Sequence, residues 1–411
     1  MQVGPIKLMK SKTFSEVMSK MNLLWEENSR LATELGAGLT THSFMHYPWH
    51  ATTAPKVIQP PDQDSDNHRD AVARVIAAYS KAAAETIKPA SGMWDDIEAR
   101  NKDFMTALQT GDAAALGPIL AKLFQSQAIW GLGKFDENLL NDMKAPHEKS
   151  HLQLRITDAL VSLGQAVGVK AATSIEQQGV EPHIKALSVD LNQLAAEIET
   201  AIGFALAAPA VGATYGCTIN NEFITLDGVI NTYVAHRLKQ LGVTKSASVV
   251  EIGGGFGCLS EIVARAIGCQ YHVYDLPWVS AIQGYYLIMS LPQGTVKLFG
   301  ESTGNIEVLP FWHFDKLTEG SIEFIVNSDS LPEMGYDTAR SYIEKISKNL
   351  RGMFLSINQE AQAKNANSGK QNCVHAIAES VGGLRLASRS IYWMRQGYVE
   401  EVFTAQKEIR G

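Results

Sequence analysis

The run Ser248-Val249-Val250-Glu251-Ile252-Gly253-Gly254-Gly255-Phe256-Gly257 decides the architecture. A β-branched apolar segment meets an acid, glycines follow at alternating positions, and Leu259 to Ala266 then has helical spacing. This is a strand, a tight turn and a helix start, in which the backbone itself comes close to a nucleotide-like ligand. Dinucleotide folds typically carry G-x-G-x-x-G, with the pyrophosphate on the helix N-terminus. Here Gly253, Gly255 and Gly257 give G-x-G-x-G directly after Glu251, and no phosphate-loop lysine follows.

A second acid comes at the right distance. Tyr271-His272-Val273-Tyr274 reads as the next strand and ends at Asp275, where a carboxylate can accept both hydroxyls of a ribose. S-adenosylmethionine has a cationic sulfonium, an amino-acid tail and no phosphate, so it suits a turn with acidic neighbours and no base. Glu251, the glycines and Asp275 together resemble class I methyltransferases. The wider block adds Asp275-Leu276-Pro277 and, after a further strand, Asn327-Ser328-Asp329-Ser330-Leu331-Pro332-Glu333-Met334. From about Gly216 to Gln359 the chain is similar to the sugar O-methyltransferase family. The resemblance implies S-adenosylmethionine as cofactor and methyl transfer as the activity.

The alternation continues beyond Asp275. Pro277 to Leu291 is predicted as a helix, Thr295 to Phe299 as a strand ending at Gly300-Glu301, and Ile322 to Val326 as a strand ending at Asn327. A helix from Tyr336 to Leu350 and a strand from Gly352 to Ile357 follow, then a strand pair, Leu384 to Met394 and Tyr398 to Gln406, around Arg395-Gln396-Gly397. A parallel sheet closed by an antiparallel hairpin is the Rossmann-like α/β sheet of class I methyltransferases, whereas a dehydrogenase would continue with another crossover. Ligands of open α/β sheets bind at the carboxyl ends of the strands. The expected cofactor residues are therefore Glu251, Gly253, Gly255, Gly257, Asp275, Leu276, Glu301 (to the adenine amino group) and Asn327.

The chain has 411 residues, enough for two domains: an all-α region over 1–214 and a catalytic domain over 215–411. A formal charge of -7 offers no basic stripe for phosphates, so a small-molecule substrate is expected and nucleic acid is not. The four cysteines form no C-x-x-C pair, and Cys217 and Cys258 read as buried small residues. Lys7, Lys10 and Lys12 precede no apolar core, and the apolar stretch Ala201 to Ala213 is short and contains Pro209. No leader and no membrane partner are expected, and the compartment is expected to be cytoplasmic.

In the first half, Thr13 and Glu16 make a capping box for an amphipathic helix up to Gly36. His42, His46 and His50 recur at four-residue intervals, but Pro48 interrupts a helix there and no acid lies nearby. They read as ordinary packing residues or as a polar and aromatic loop contributing to the substrate pocket or a helix interface, and no metal is expected. Residues 54–67 read as a connector, and helices are predicted over Ala71 to Ile87, Trp94 to Leu108, Asp112 to Phe124, His151 to Val167 and Ile184 to Phe204. The last carries a narrow stripe (Ile184, Leu187, Leu191, Leu194, Ile198, Ile202) that suits either a homodimer seam or packing on the catalytic domain. Tyr215 to Phe223 is a lead-in loop able to close over the site, and Thr225 opens a helix through Leu241.

Methyl transfer to a hydroxyl needs an aligned acceptor and a base for its proton. Asp329, Glu333 and His375 are the candidates, with Tyr215 and Tyr336 beside the acceptor. A second reading takes Glu333-Met334-Gly335-Tyr336 with Glu344 as resembling the double-glutamate loop of arginine N-methyltransferases, where paired carboxylates grip a guanidinium. A third is a non-catalytic interaction protein on a cofactor-binding fold. The first two place the chain in secondary (natural-product) metabolism or glycan modification.

Overall fold

The computed structural model describes residues 19–20, 50–51, 55–59, 66–85, 93–132, 146–172, 176, 179–186, 188–360, 364–365 and 369–406. The predicted helix up to Gly36, the stretch with His42, His46 and His50, and the connector to Asn67 lie largely outside those residues.

The helical region contributes α1 (Asp66–Ala84), α2 (Met93–Arg100), α3 (Lys102–Thr110), α4 (Ala113–Ala121), α5 (Pro146–Ala166) and α6 (Leu191–Ile202). The helix expected from Trp94 breaks at Asn101, and Gly111, in the left-handed region at φ 70°, closes α3. Asp112 caps α4 by accepting from the N–H groups of Ala114 and Ala115. The helix expected from Ile184 is also interrupted: Val180–Ala186 stops, and Ser188–Val189 pairs in parallel with His50–Ala51. Asp190 then caps α6 anew through the N–H groups of Asn192 and Gln193. The lead-in stretch after Tyr215 is a hairpin rather than a loop. Gly216–Ile219 and Glu222–Ile224 turn at Asn220 and Asn221, both at positive φ, as a two-residue hairpin turn demands.

The main sheet follows, with α7 (Leu226–Gln240), β1 (Ser248–Ile252), α8 (Cys258–Ala266), β2 (Gln270–Asp275), α9 (Pro277–Ser290), β3 (Ile306–Pro310), β4 (Ile322–Ser328), α10 (Tyr336–Asn349), β5 (Leu350–Gln359), α11 (Val374–Val381), β6 (Leu384–Ile391) and β7 (Tyr398–Ala405). Its order is β6-β7-β5-β4-β1-β2-β3, with the two-residue strand Val296–Lys297 outside β3. Neighbours from β3 to β5 run parallel, while β7 is antiparallel to both β5 and β6. This is the Rossmann-like class I methyltransferase sheet.

One prediction within it is corrected. The strand expected at Thr295 to Phe299 is only the edge piece, and the true third strand is β3, where Pro310 stands opposite Asp275. Proline at a strand's last position leaves the ladder intact yet reads in sequence as a break.

The apolar core is shared between the two halves. Ala71 and Val75 of α1, Ile156 and Leu160 of α5, Leu194 and Ile198 of α6 and Val249 and Tyr271 of the sheet belong to one continuous cluster. A second cluster, around Phe314, Tyr342, Ile343 and Phe354, joins α10 and α11 to the sheet. Leu191, Leu194, Ile198 and Ile202, the described part of the narrow stripe, are thus core residues against α5 rather than an open seam. Ile198→Ala is expected to cost about 2–5 kcal/mol of stability, the range for emptying a well-packed aliphatic site, in urea unfolding. A dimer-seam role would instead appear as a lower sedimentation mass with little loss of stability.

Candidate functional site

The turn after β1 is built by close approach. Gly253 and Gly255 are at φ 71° and 57°, in the left-handed region that side chains avoid. A Cβ on Gly253 would lie 2.3 Å from the Ser330 hydroxyl, and one on Gly255 would lie 2.9 Å from the Leu132 carbonyl oxygen. Gly257, at φ 98°, feeds the turn into α8 and is not on the cavity wall.

Asp275 at the end of β2 fastens this turn. Its carboxylate accepts from the Gly254 N–H at 2.9 Å, the Leu276 N–H at 2.8 Å and the Gln283 side chain at 2.7 Å. Gln283 also donates to the Gly255 carbonyl at 3.0 Å, so α9 holds both the acid and the turn. Burial pushes the Asp275 carboxyl up to about 7 against these donors. Glu251, buried beneath the turn, accepts from Ser260 at 3.0 Å, and burial lifts it also to about 7.

A cavity of about 210 Å³ opens over these groups. Glu251, Gly253, Gly255, Asp275 and Leu276 line it. Ser328, Asp329, Ser330 and Glu333, after β4, line it as well, with Tyr392, Arg395 and Tyr398 of the C-terminal hairpin. Asp227 and Asn231 of α7, and Trp94, Asp95 and Leu132 of the helical region, complete it. The helical region is anchored there by aromatic contacts: Phe256 of the turn sits edge-on between Phe124 and Tyr286, at 5.0 and 4.9 Å between ring centres.

Asp329 is at φ 72°, uncommon for a residue with a side chain. Its N–H donates to the Ile357 carbonyl at 3.1 Å and the Asn358 side chain at 3.0 Å. Its carboxylate accepts from Arg395 at 2.6 Å and from the Tyr398 hydroxyl. The Arg395 guanidinium also lies over the Tyr398 ring, 4.1 Å from its centre.

Other expected site residues are placed elsewhere. Asn327 is buried off the wall; its amide donates to the Ile252 carbonyl at 2.8 Å and accepts from Asn358 at 3.0 Å, tying β4 to β1 and β5. Glu301 follows the edge strand and not β3, and its carboxylate takes both arms of the Arg74 guanidinium at 2.8 Å. His375 lies 2.7 Å from Glu401 and 3.3 Å from Glu379, away from the cavity. Glu344 points to Arg340 at 2.9 Å on the outer face of α10, so no second glutamate joins Glu333. Tyr336 is exposed at the start of α10, and Tyr215 packs against the core without lining the cavity. Sequence reasoning missed Arg395, Tyr392 and Tyr398, whose one visible signal was the turn Arg395-Gln396-Gly397, and also Trp94, Asp95, Leu132, Asp227 and Asn231.

Among the described residues no group of three or more histidine, cysteine or carboxylate side chains is placed to hold a metal, and no helix is long and apolar enough to cross a membrane. The glycine cradle, two buried carboxylates and a turn without a basic side chain fit a ligand that brings hydroxyls and positive charge, and do not fit a pyrophosphate.

No protein-family model matches the chain, and no curated protein matches it. Solved structures similar to it include a magnesium protoporphyrin IX methyltransferase from Synechocystis with bound SAM (14% identity, 42% of this chain and 76% of that one, TM-score 0.32). Others are a TehB-like SAM-dependent methyltransferase from Corynebacterium glutamicum (16%, 42% and 87%, 0.30) and an O-methyltransferase family protein from Burkholderia thailandensis (13%, 44% and 60%, 0.29). The strand order, with its antiparallel pair inserted beside β5, is what assigns the sheet to the Rossmann-like class I methyltransferase fold.

Proposed function

We propose that the chain is an S-adenosylmethionine-dependent methyltransferase acting on a hydroxyl of a polar small molecule, sugar-like as the similarity to sugar O-methyltransferases implies, in glycan modification or natural-product biosynthesis. The observation that carries this reading is the glycine turn bracketed by Glu251 and Asp275, open to a cavity that Asp329, Glu333, Tyr392, Arg395 and Tyr398 also line. When bound, the cofactor supplies a methyl carbon already activated by its sulfonium. Asp275 and Leu276 would hold the nucleoside end, and Glu251 with Gly253 and Gly255 the amino-acid end.

Asp329, Glu333 and the hairpin residues make the acceptor side in this reading. Arg395 and Tyr398 both donate to the Asp329 carboxylate and fix its orientation, which makes it a positioning group. Glu333, after the same strand, is the carboxylate we assign to take the acceptor's proton. Arg340 draws Glu344 away, so the paired-carboxylate grip on a guanidinium lacks its second member, which favours a hydroxyl over guanidino N-methylation. Trp94, Asp95 and Leu132 on the cavity wall support a role for the helical region in shaping the acceptor pocket.

Calorimetric titration with S-adenosylhomocysteine is expected to give micromolar binding, and a screen of hexoses, methyl glycosides and guanidino compounds to give turnover of a hydroxyl compound. No binding would sink the reading. Asp275→Asn should weaken that binding about tenfold or more, the worth of hydrogen bonds to a charged group. Glu333→Gln should bind it normally yet turn over about 10²–10⁴-fold more slowly.

The pH dependence has a definite sign. Both buried carboxyls titrate near 7 when folded and near 4 when unfolded, so the ligand-free protein should lose stability as pH rises through that window. A ligand bringing hydroxyl donors and a positive charge favours the ionised forms. Its affinity should therefore rise with pH up to about 7 and level off above, with proton release measurable in buffers of different ionisation enthalpy.

A further inference from the structure

Tyr392 follows β6 and closes the C-terminal hairpin, its N–H donating to the Tyr398 carbonyl at 3.0 Å. The residue is 3% exposed and forms part of the cavity wall. Its ring is edge-on to Tyr233 at 5.3 Å and tilted against Tyr398 at 6.5 Å between centres. Those two neighbours have matched hydroxyls: Tyr233 donates to Glu400 and Tyr398 to Asp329. The Tyr392 hydroxyl, buried among them, has no hydrogen-bond partner among the described residues.

A buried hydroxyl left unpaired costs stability, and phenylalanine would fill the same space without that cost. The three charged groups acting on it are Glu400, Arg395 and Asp329. Burial, reinforced by Glu400, pushes the phenol well above the ordinary tyrosine range, so it stays a neutral donor at any working pH. Arg395 and Asp329 are paired with each other.

We propose that the Tyr392 hydroxyl is an acceptor-binding group, donating to a neutral oxygen lone pair of the molecule to be methylated and so fixing its orientation against Asp329 and Glu333. An ammonium has no lone pair to offer it. The proposal deepens the methyltransferase reading and rests on it.

Tyr392→Phe in the full-length chain tests it by three readouts. The ligand-free melting temperature should be unchanged or higher, and affinity for S-adenosylhomocysteine should stay within about twofold. With the hexose or methyl glycoside that wild type turns over fastest, KM should rise about tenfold with a smaller change in kcat. Tyr233→Phe is the control: it removes a made hydrogen bond to Glu400 and should lower the melting temperature. A comparable fall in Tyr392→Phe would show a structural hydroxyl and overturn the assignment, as would an unchanged KM. Failure of wild type to bind S-adenosylhomocysteine would instead remove the methyltransferase reading beneath it.

Discussion

The carboxylate of Asp275 is the constraint on which the site depends. A largely buried acid is costly to keep, and here three donors from three places, the turn after β1, the start of α9 and the side chain of Gln283, converge on it. The same bonds fix the height of the glycine turn relative to the neighbouring strand. Shift the turn by one residue and the Gly254 N–H no longer meets it, while Gly253 and Gly255 lose the positive-φ positions that only they tolerate. Burial opposes these donors and lifts the carboxyl toward neutrality, which leaves it responsive to an incoming hydrogen-bond donor.

A second network does the same for the residues after β4. Asn327 and Asn358 bond to each other across β4 and β5, and their remaining groups hold the Ile252 carbonyl and the Asp329 N–H. Buried amides with every partner made act as rigid spacers. Through them β1, β4 and β5 set the distance between the glycine turn and Asp329. The unusual backbone angle of Asp329 is local strain of about 1–2 kcal/mol, held in place by this network and by the hairpin.

The cofactor side was legible in the sequence and the acceptor side largely was not. Glu251, the glycines and Asp275 lie in two short runs, each bearing the strand-turn signature on its face. Tyr392, Arg395 and Tyr398 reach the cavity only through antiparallel pairing of β7 with β5, and nothing local in an alternating strand shows which residues that pairing will present. Trp94 and Asp95 sit in ordinary-looking helical sequence and Leu132 in a turn beside Gly131, and all three arrive by packing. Glu301 misled because the strand before it is an edge fragment, while β3 lies beyond it and was not predicted. His375 misled differently: a histidine beside a sheet looks like a base until Glu401 is seen to hold it.

The order of the polypeptide adds a consequence for synthesis. Trp94 and Leu132, the glycine turn and the hairpin at Tyr392 to Tyr398 all line the cavity. On the ribosome, the helices and the first parallel strands can collapse while the acceptor wall does not yet exist. Until β7 inserts between β5 and β6, the edge of β5 offers unpaired backbone to any passing strand. The nascent chain therefore passes through a stage in which its cofactor side is assembled and its sheet is still open, and chaperone protection would matter most at that moment.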